Sequence, residues 1–488
     1  MAVRGGRPKS LSAAGIGGAP GGLWTIIGYL AGVEIVSGIL QAYYTPLFPQ
    51  IADHLAILEG DVNWFEAAQL ALSALVVPLL SRLGDLWGHR NVLLVSTAIV
   101  AAGSWILVLA PGFTVFLIGW SLQAAYAVWL PIEIALIHRR ATGPQQAILT
   151  RRAAAYLVAA LEIGCLVGAL AAGALSGVLG VPALMAVPAL AVTGCFVVVL
   201  LGVRDAPVPS GGRFDLRGLG VFALAIGLVM TGLVTVRVLG PSSPLPWLVL
   251  VLGVAAFAGF VPLQLRTTDP LVDVRLLGRP GQWPVQLAAF LFGMSVLGAQ
   301  IPLSTFAQAD PDRVGYGLGV GPGAVSLLVG LYVLCMAAGA LLMPFVATRV
   351  GQRGAITVGL LVVAAGYGSL IPLNAFFVAV MLGVAVAGLG SGALVAALPA
   401  SAASAAPPER TAFATGATNT TKTIGGALAS AMFALALTST GSADPAATGG
   451  ATLGGYLVVW AICAGSAAIA AAVVAFAPRE PASAEPLQ

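Results

Sequence analysis

The sequence predicts an all-α polytopic membrane protein, and three observations carry that prediction. Of 488 residues, 59% are hydrophobic and only 8% are Asp, Glu, Lys or Arg. The apolar residues form repeated blocks of about 20 or more, each long enough to cross a hydrocarbon core of about 30 Å as a helix. Nearly all the cations fall in the gaps between blocks.

In chain order the blocks predict fourteen spans, at 24–47, 63–84, 91–110, 114–138, 151–179, 181–203, 216–239, 246–265, 283–306, 322–347, 354–373, 376–399, 411–438 and 451–476. The pattern permits a merge or split at two places, between 151–179 and 181–203 and between 216–239 and 246–265. Lys and Arg are retained in the cytoplasmic loops of a threaded chain, so their positions test the count. Of the 22, 19 fall on the side of the N-terminus: Arg4, Arg7 and Lys9 before the first span, Arg82 and Arg90 after the second, and Arg139, Arg140, Arg151 and Arg152 after the fourth. Arg204, Arg213 and Arg217 follow the sixth, Arg266, Arg275 and Arg279 the eighth, Arg349 and Arg353 the tenth, Arg410 the twelfth and Arg479 the fourteenth. Arg237 and Arg313 lie towards the other face, and Lys422 sits inside a span. An even count with this bias places both termini in the cytoplasm and the chain as a multi-pass protein of the cell inner (plasma) membrane. One missed span would divide the cations about evenly between the faces.

The net charge of +4 and pI near 9.0 follow from these cations and imply contact with anionic lipid headgroups of the bilayer, not with nucleic acid. Residues 1–23 are Gly-rich and basic without an apolar core, so the first helix is expected to act as an uncleaved insertion signal. No loop exceeds about 20 residues, which leaves no room for a soluble catalytic domain. Cys165, Cys195, Cys335 and Cys463 lie in apolar spans, far apart, and read as small buried hydrophobes; His54, His89 and His138 are equally isolated. No metal, no cofactor and no enzymatic activity are expected.

The gap after the second span reads Ser81-Arg82-Leu83-Gly84-Asp85-Leu86-Trp87-Gly88-His89-Arg90. Two glycines permit a tight turn between antiparallel helices, Asp85 can face a helix N-terminus, and the flanking cations can pair with it or with headgroups. This resembles the loop signature of the major facilitator superfamily, Gly-x-x-x-Asp-x-x-Gly-Arg-Lys, with Ser81 for the first glycine and His89-Arg90 for the basic pair. A weaker echo, Ala347-Thr348-Arg349-Val350-Gly351-Gln352-Arg353, follows the tenth span, where a duplicated second half would repeat it. Asp269 to Leu277 resembles the segment that joins the extra helix pair of the fourteen-span drug:proton antiporter branch to its second half. Gly416 to Ala429, with Asn419, Lys422, Gly425 and Gly426, resembles the start of that branch's penultimate helix. Trp64 and Pro49-Gln50-Ile51-Ala52 also fit.

The resemblance implies the major facilitator fold: two six-helix bundles, 24–203 and 283–476, a linker with two extra helices at 204–282, and cytoplasmic tails at 1–23 and 477–488. It also implies a monomer. The branch's pattern is kept only in part. Trp120 stands where helix 4 commonly has Arg, Gly168-Ala169 stands for the Gly-Pro pair of helix 5, and Gln69 for a Tyr on helix 2. The usual helix 1 Asp aligns near Leu40 or Gln41, so Glu34 is a displaced acid.

Ionisable groups at mid-bilayer are costly, about 2.5–3.5 kcal/mol on insertion scales, so those that remain face a water-filled path or a partner. By helical rise, Glu34 and Glu162 both lie about 15 Å into their spans, near the midplane. In the superfamily fold they could share one space and carry protons or contact a cationic substrate, with Gln69 a further candidate for that site, or each could hydrogen-bond a neighbouring helix and only fix packing. Glu133 follows Pro131 near the inner end of the fourth span, within reach of Arg139, Arg140 or the Asp85 loop, and reads as part of an inner gate with Arg82, Asp85 and Arg90. Glu66, two residues after Trp64, reads as a hydrated interfacial acid. Lys422 is the only deep cation and calls for an acid or carbonyl partner. Trp120, Gln123, Tyr126 and Trp129, at intervals of three, project to one broad face that suits either a flat lipophilic substrate or helix packing.

These readings converge on a secondary active transporter that exports a hydrophobic or amphipathic small molecule, a drug or secondary metabolite, by proton antiport with alternating access. The Ala/Gly-rich composition suits a high-GC bacterium, where such exporters often confer antibiotic self-resistance. The lost Arg and Pro leave open a facilitator or a differently coupled transporter; a membrane enzyme or receptor lacks any nucleophile–base pair, metal cluster or sizeable extramembrane domain in the sequence.

Overall fold

The computed structural model describes residues 21–141, 146–203, 215–268, 270–407, 410–439 and 451–477. The tails with Arg4, Arg7, Lys9 and Arg479, the linker residues Arg204 and Arg213, Asp269 and the side chain of Asp85 lie outside the described residues.

Hydrogen-bonded helices follow the apolar blocks in order: α1 (Trp24–Leu55), α2 (Asn63–Trp87), α3 (His89–Leu109), α4 (Phe113–Arg140), α5 (Gln146–Leu175), α6 (Val181–Gly202), α7 (Leu216–Leu239) and α8 (Pro244–Arg266). After the short helix Val274–Leu277 come α9 (Trp283–Gln308), α10 (322–350), α11 (352–373), α12 (Phe377–Ser404), α13 (Thr411–Ser439) and α14 (Leu453–Phe476). Thirteen helices among the described residues are long and apolar enough to cross a membrane. One of them, Pro322–Leu373, has 52 residues, about 78 Å of rise and more than twice a bilayer core. It turns at Gly351, whose φ of 74° and ψ of 163° are not helical, and counted as α10 and α11 it brings the number to fourteen.

Several helices outrun the apolar blocks. Hydropathy ends the second span at 84 and starts the third at 91, yet α2 and α3 are separated by Gly88 alone. Charged residues at a bilayer edge lower hydropathy without breaking backbone hydrogen bonds; the turn itself needs a residue at φ 96°, which glycine adopts without the Cβ penalty. Gly351 plays the same part between α10 and α11. Immediately after each glycine turn an arginine is used alike. Arg90 donates from Nε to the Val203 carbonyl at 2.6 Å and from Nη2 to that of Leu200 at 2.9 Å, at the end of α6. Arg353 donates to the Val474 and Ala477 carbonyls at the end of α14. Both cover the C-terminal carbonyls that a helix leaves unpaired.

A second duplication lies in the core. Gly38 of α1 and Gly164 of α5 meet so closely that a Cβ on either would strike the carbonyl of Leu161 or Ile35 across the contact. In the second half, Gly293 of α9 and Gly425 of α13 do the same against the carbonyls of Lys422 and Phe290. One apolar core gathers buried residues from Ile26 to Val203, and another is drawn mainly from Ala288 to Val474. Large apolar side chains such as Leu109, Leu201, Leu341 and Phe476 face outward, as a lipid solvent requires.

Helices α7 and α8 pack on each other through Gly232 and Gly253 and lie against α2 and α13, where Phe222 and Ile226 meet Ala71, Ala74 and Ala427. Asp215 anchors the pair. Its carboxylate accepts from the Gly218 N–H at 2.8 Å, from Gln264 Nε2 at 2.7 Å and from the Leu271 N–H at 3.3 Å, while Gln264 Oε1 accepts from the Val272 N–H. At the opposite end Arg237 pairs with Asp61 at 3.2 Å. The segment flagged from sequence as joining the insert to the second half is thus folded around two polar side chains.

Candidate functional site

A cavity of about 1980 Å³ lies between the two halves. Its mouth is at the arginine-bearing face, where Arg82, Arg151 and Arg410 line it, and its floor is reached at Trp120, Phe48, Gln300 and Ile301. At the far end the halves are bonded together, and breaks in α1 and α9 make this possible. Helix α1 stops at Ala42, makes a short 3-10 turn at Thr45–Leu47 and resumes at Phe48; α9 stops at Val296 and resumes at Gln300 after Gly298. The two resumed segments meet: Ser304 Oγ donates to the Thr45 carbonyl at 2.5 Å, Gln308 Nε2 to that of Pro46 at 3.1 Å, and Thr45 Oγ1 to Gln300 Oε1 at 3.3 Å. Beside them α5 and α10 approach at Gly173 and Ser326, and α2 and α13 at Leu70 and Gly426. All of these contacts lie in the halves of the helices remote from the arginine face, so the cavity is closed there and accessible from the arginine side.

The floor is an aromatic cluster. Trp120 has ring centroids of Tyr44 at 4.7 Å, Phe48 at 5.9 Å, Phe65 at 6.0 Å and Phe116 at 6.0 Å around it. Its indole Nε1 is buried with no hydrogen-bond partner among the described residues. Helix α4 changes to a 3-10 turn at Gln123–Val128, and the single face expected of Trp120, Gln123, Tyr126 and Trp129 divides there. Trp120 and Tyr126 line the cavity. Gln123 instead donates to Tyr44 Oη and Ser104 Oγ, each at 2.9 Å, and Trp129 Nε1 to Ser96 Oγ at 3.1 Å. Both are buried polar groups that need partners, and the serines of α3 supply them. These two residues pack helices and do not touch the cavity.

The acids also divide. Glu162 and Glu66 line the cavity, with Gln69 near them on α2; the interfacial place expected for Glu66 is corrected to a cavity wall beside Tyr126. Glu34 is fully buried behind that wall, and its expected sharing of one space with Glu162 is replaced by another pairing. The carboxyls of Glu34 and Glu133 face each other between α1 and α4, near Cys195 of α6. No other described group hydrogen-bonds to any of their four oxygens. Glu133 therefore forms no inner-gate pair with Arg139 or Arg140: its place about two turns inside the end of α4 points it into the bundle. Of the other gate residues, Arg82 lines the cavity mouth and Arg90 holds the end of α6. Lys422 lines the cavity from α13. Outside the spans, partial burial disfavours the Asp215 carboxylate, but the hydrogen bonds from Gln264, Gly218 and Leu271, with Arg217 nearby, outweigh it and hold its pKa below the ordinary 3.8.

Sequence reasoning missed Tyr44, Phe65 and Phe116 in the floor, Gln300 in the seal and Tyr332 in the second-half wall. Only the Thr45-Pro46 and Gly298 punctuation could have signalled that two spans break.

Set beside known proteins, the profile of the Major Facilitator Superfamily matches residues 30–310 and 286–488. The chain belongs to the major facilitator superfamily. The chain is 26% identical over 375 residues to a triacylglyceride transporter of Mycolicibacterium smegmatis, a match covering 75% of the chain but 62% of that relative's length. It is 28% identical over 415 residues to the cephamycin export protein CmcT of Amycolatopsis lactamdurans, covering 82% and 81% of the two chains. Among solved structures, an auto-inhibited POT family peptide transporter superposes with a TM-score of 0.67 at 16% identity, covering 96% of this chain and 99% of that one. That likeness concerns the fold. The family and these relatives are transporters, not enzymes.

Proposed function

We propose that the protein exports an apolar or amphipathic small molecule across the plasma membrane by alternating access, in exchange for protons. The observation that carries the reading is the cavity of about 1980 Å³ between duplicated halves, with an aromatic floor and one sealed end. A volume larger than an ordinary ligand pocket of about 300–1,000 Å³ suits a bulky, loosely held cargo. The arginine face is the cytoplasmic face by the positive-inside rule, so cargo enters from the cytoplasm and leaves when the bundles rock to open the Thr45–Ser304 seal. The relation to a cephamycin exporter and a triacylglyceride transporter supports an organic cargo with a large apolar surface.

Protons enter the scheme through the acids. Two facing carboxyls with no cation beside them cannot both be charged without a large electrostatic penalty, so the Glu34–Glu133 pair holds a proton in this state and can release it only when water or a cation reaches it. Glu162 and Glu66 in the wall are the candidates for exchange with cargo. The test is uptake of apolar and amphipathic fluorescent dyes by proteoliposomes with and without an imposed pH gradient. Accumulation that needs the gradient is the expected result. Equal rates with and without it would make the protein a facilitator, and no uptake of any dye would overturn the cargo class.

A further inference from the structure

The internal duplication isolates one residue of the cavity wall. In the first half the carbonyl of Leu161 lies against Gly38, and in the second half the carbonyl of Lys422 lies against Gly293; each is followed three residues later by the glycine, Gly164 or Gly425, that completes the contact. Leu161 and Lys422 are therefore equivalent positions of the repeat. Their backbones are fixed against the neighbouring helix, and the side chains of both line the cavity. Packing does not ask for a lysine here, because the same joint is made with leucine.

An ammonium at this depth is costly, so its presence calls for a compensating partner. None is found among the described residues. The ion pairs among the described residues are Arg237–Asp61 and Arg410–Asp273, and Lys422 makes no hydrogen bond or ion pair with any described residue. The cavity carboxylates Glu66 and Glu162 stand on α2 and α5 and form no ion pair with it. Asn419, one turn earlier on α13, also lines the cavity, so that an ammonium and an amide are neighbours on one helix face. The second-half wall also presents the apolar and aromatic side chains of Phe292, Tyr332 and Met336, and the threonines Thr420, Thr421 and Thr423 beside Lys422.

We infer that Lys422, assisted by Asn419, is the receptor for a single anionic head group on the transported molecule, and that the cargo is an amphipathic organic carboxylate with its apolar body against the aromatic floor. The acids of the opposite wall disfavour a second negative charge. This inference rests on the reading of the cavity as the cargo site.

The test is binding of radiolabelled dodecanoate and of its methyl ester to the full-length protein in phosphatidylcholine nanodiscs, for the wild type, Lys422→Met and Lys422→Arg. The wild type should bind the acid more tightly than the ester by about tenfold or more, the worth of one charged hydrogen bond. Lys422→Met should lose that preference and Lys422→Arg should keep it, with thermal unfolding like that of the wild type showing that both variants are folded. Nanodiscs with added phosphatidylglycerol separate two sources of the anion: dodecanoate that stays bound supports the carboxylate cargo, and its displacement by the phosphodiester lipid overturns it. Equal binding of the acid by wild type and Lys422→Met overturns the inference alone. Failure of the wild type to bind either probe overturns the reading of the cavity, and the inference with it.

Discussion

The two halves share a frame and differ in their charges. Gly38 and Gly164 correspond to Gly293 and Gly425, and Arg90 to Arg353, each pair doing the same mechanical task. At the equivalent of Glu34, one residue before the Ile35 carbonyl that Gly164 meets, the second half has the buried Ala289, one residue before Phe290. At the equivalent of Lys422 the first half has Leu161. Residues that fix backbone approach are repeated, because no other residue allows that approach; residues that depart from the repeat are charged and lie in or behind the cavity wall. On the cavity and behind its wall the first half carries the acids and the second the ammonium; under the function proposed above, that division would give proton handling to one bundle and head-group recognition to the other.

The largest effect that could break this comparison concerns the acids. Glu34→Gln and Glu133→Gln should each abolish the acceleration of transport by a pH gradient while leaving cargo binding, and Ala289→Ser at the equivalent second-half position should leave both intact; proteoliposome uptake measures this. If both glutamine variants remain gradient-driven, proton handling does not belong to this pair. Next come the glycine joints. Gly38→Leu and Gly293→Leu should each lower stability by about 2–3 kcal/mol through overpacking, read as thermal unfolding in detergent. Gly28→Leu, where an added Cβ meets nothing within 4 Å, should be neutral. Unequal losses at Gly38 and Gly293 would show that the repeat is one of sequence position and not of packing.

Smaller changes follow at the arginine face. Arg90→Ala and Arg353→Ala should each cost about 1 kcal/mol, since each deletes charge-assisted bonds to helix-end carbonyls at a partly solvated edge. The smallest effect lies at Asp215, outside the repeat. Its folded carboxyl is held below 3.8, so its contribution to docking the insert is complete above that pH and is lost as pH falls through the lower folded value. Protection of the Gly218 and Leu271 amides, relative to their intrinsic exchange rates, should fall on acidification in the wild type, and be lower but insensitive to pH across this range in Asp215→Asn.

Much of the fold was legible because lipid imposes length and apolarity on every crossing, and because the arginine gaps mark one face. The glycine turns at Gly88 and Gly351 were legible as a repeated loop. The partner of Glu34 was not, since Glu133 lies on another helix and looked, from its distance to Arg139, like an interfacial residue. The division of the α4 face was hidden for a similar reason: the serines of α3 that bind Gln123 and Trp129 are ordinary in a membrane helix. Lys422 was visible as a deep cation, but the sequence asked for an internal partner, and only the geometric match to Leu161 shows that packing does not explain it.

Under the proposed mechanism, transport requires the halves to part at the Thr45–Ser304 seal. In a variant with the four native cysteines replaced and transport retained, Thr45→Cys and Ser304→Cys would be joined by a short bis-maleimide and uptake measured in proteoliposomes. The joined protein is expected to bind cargo from the arginine face but not to transport it, while the same pair blocked singly with N-ethylmaleimide does. Full transport by the joined protein would contradict the mechanism.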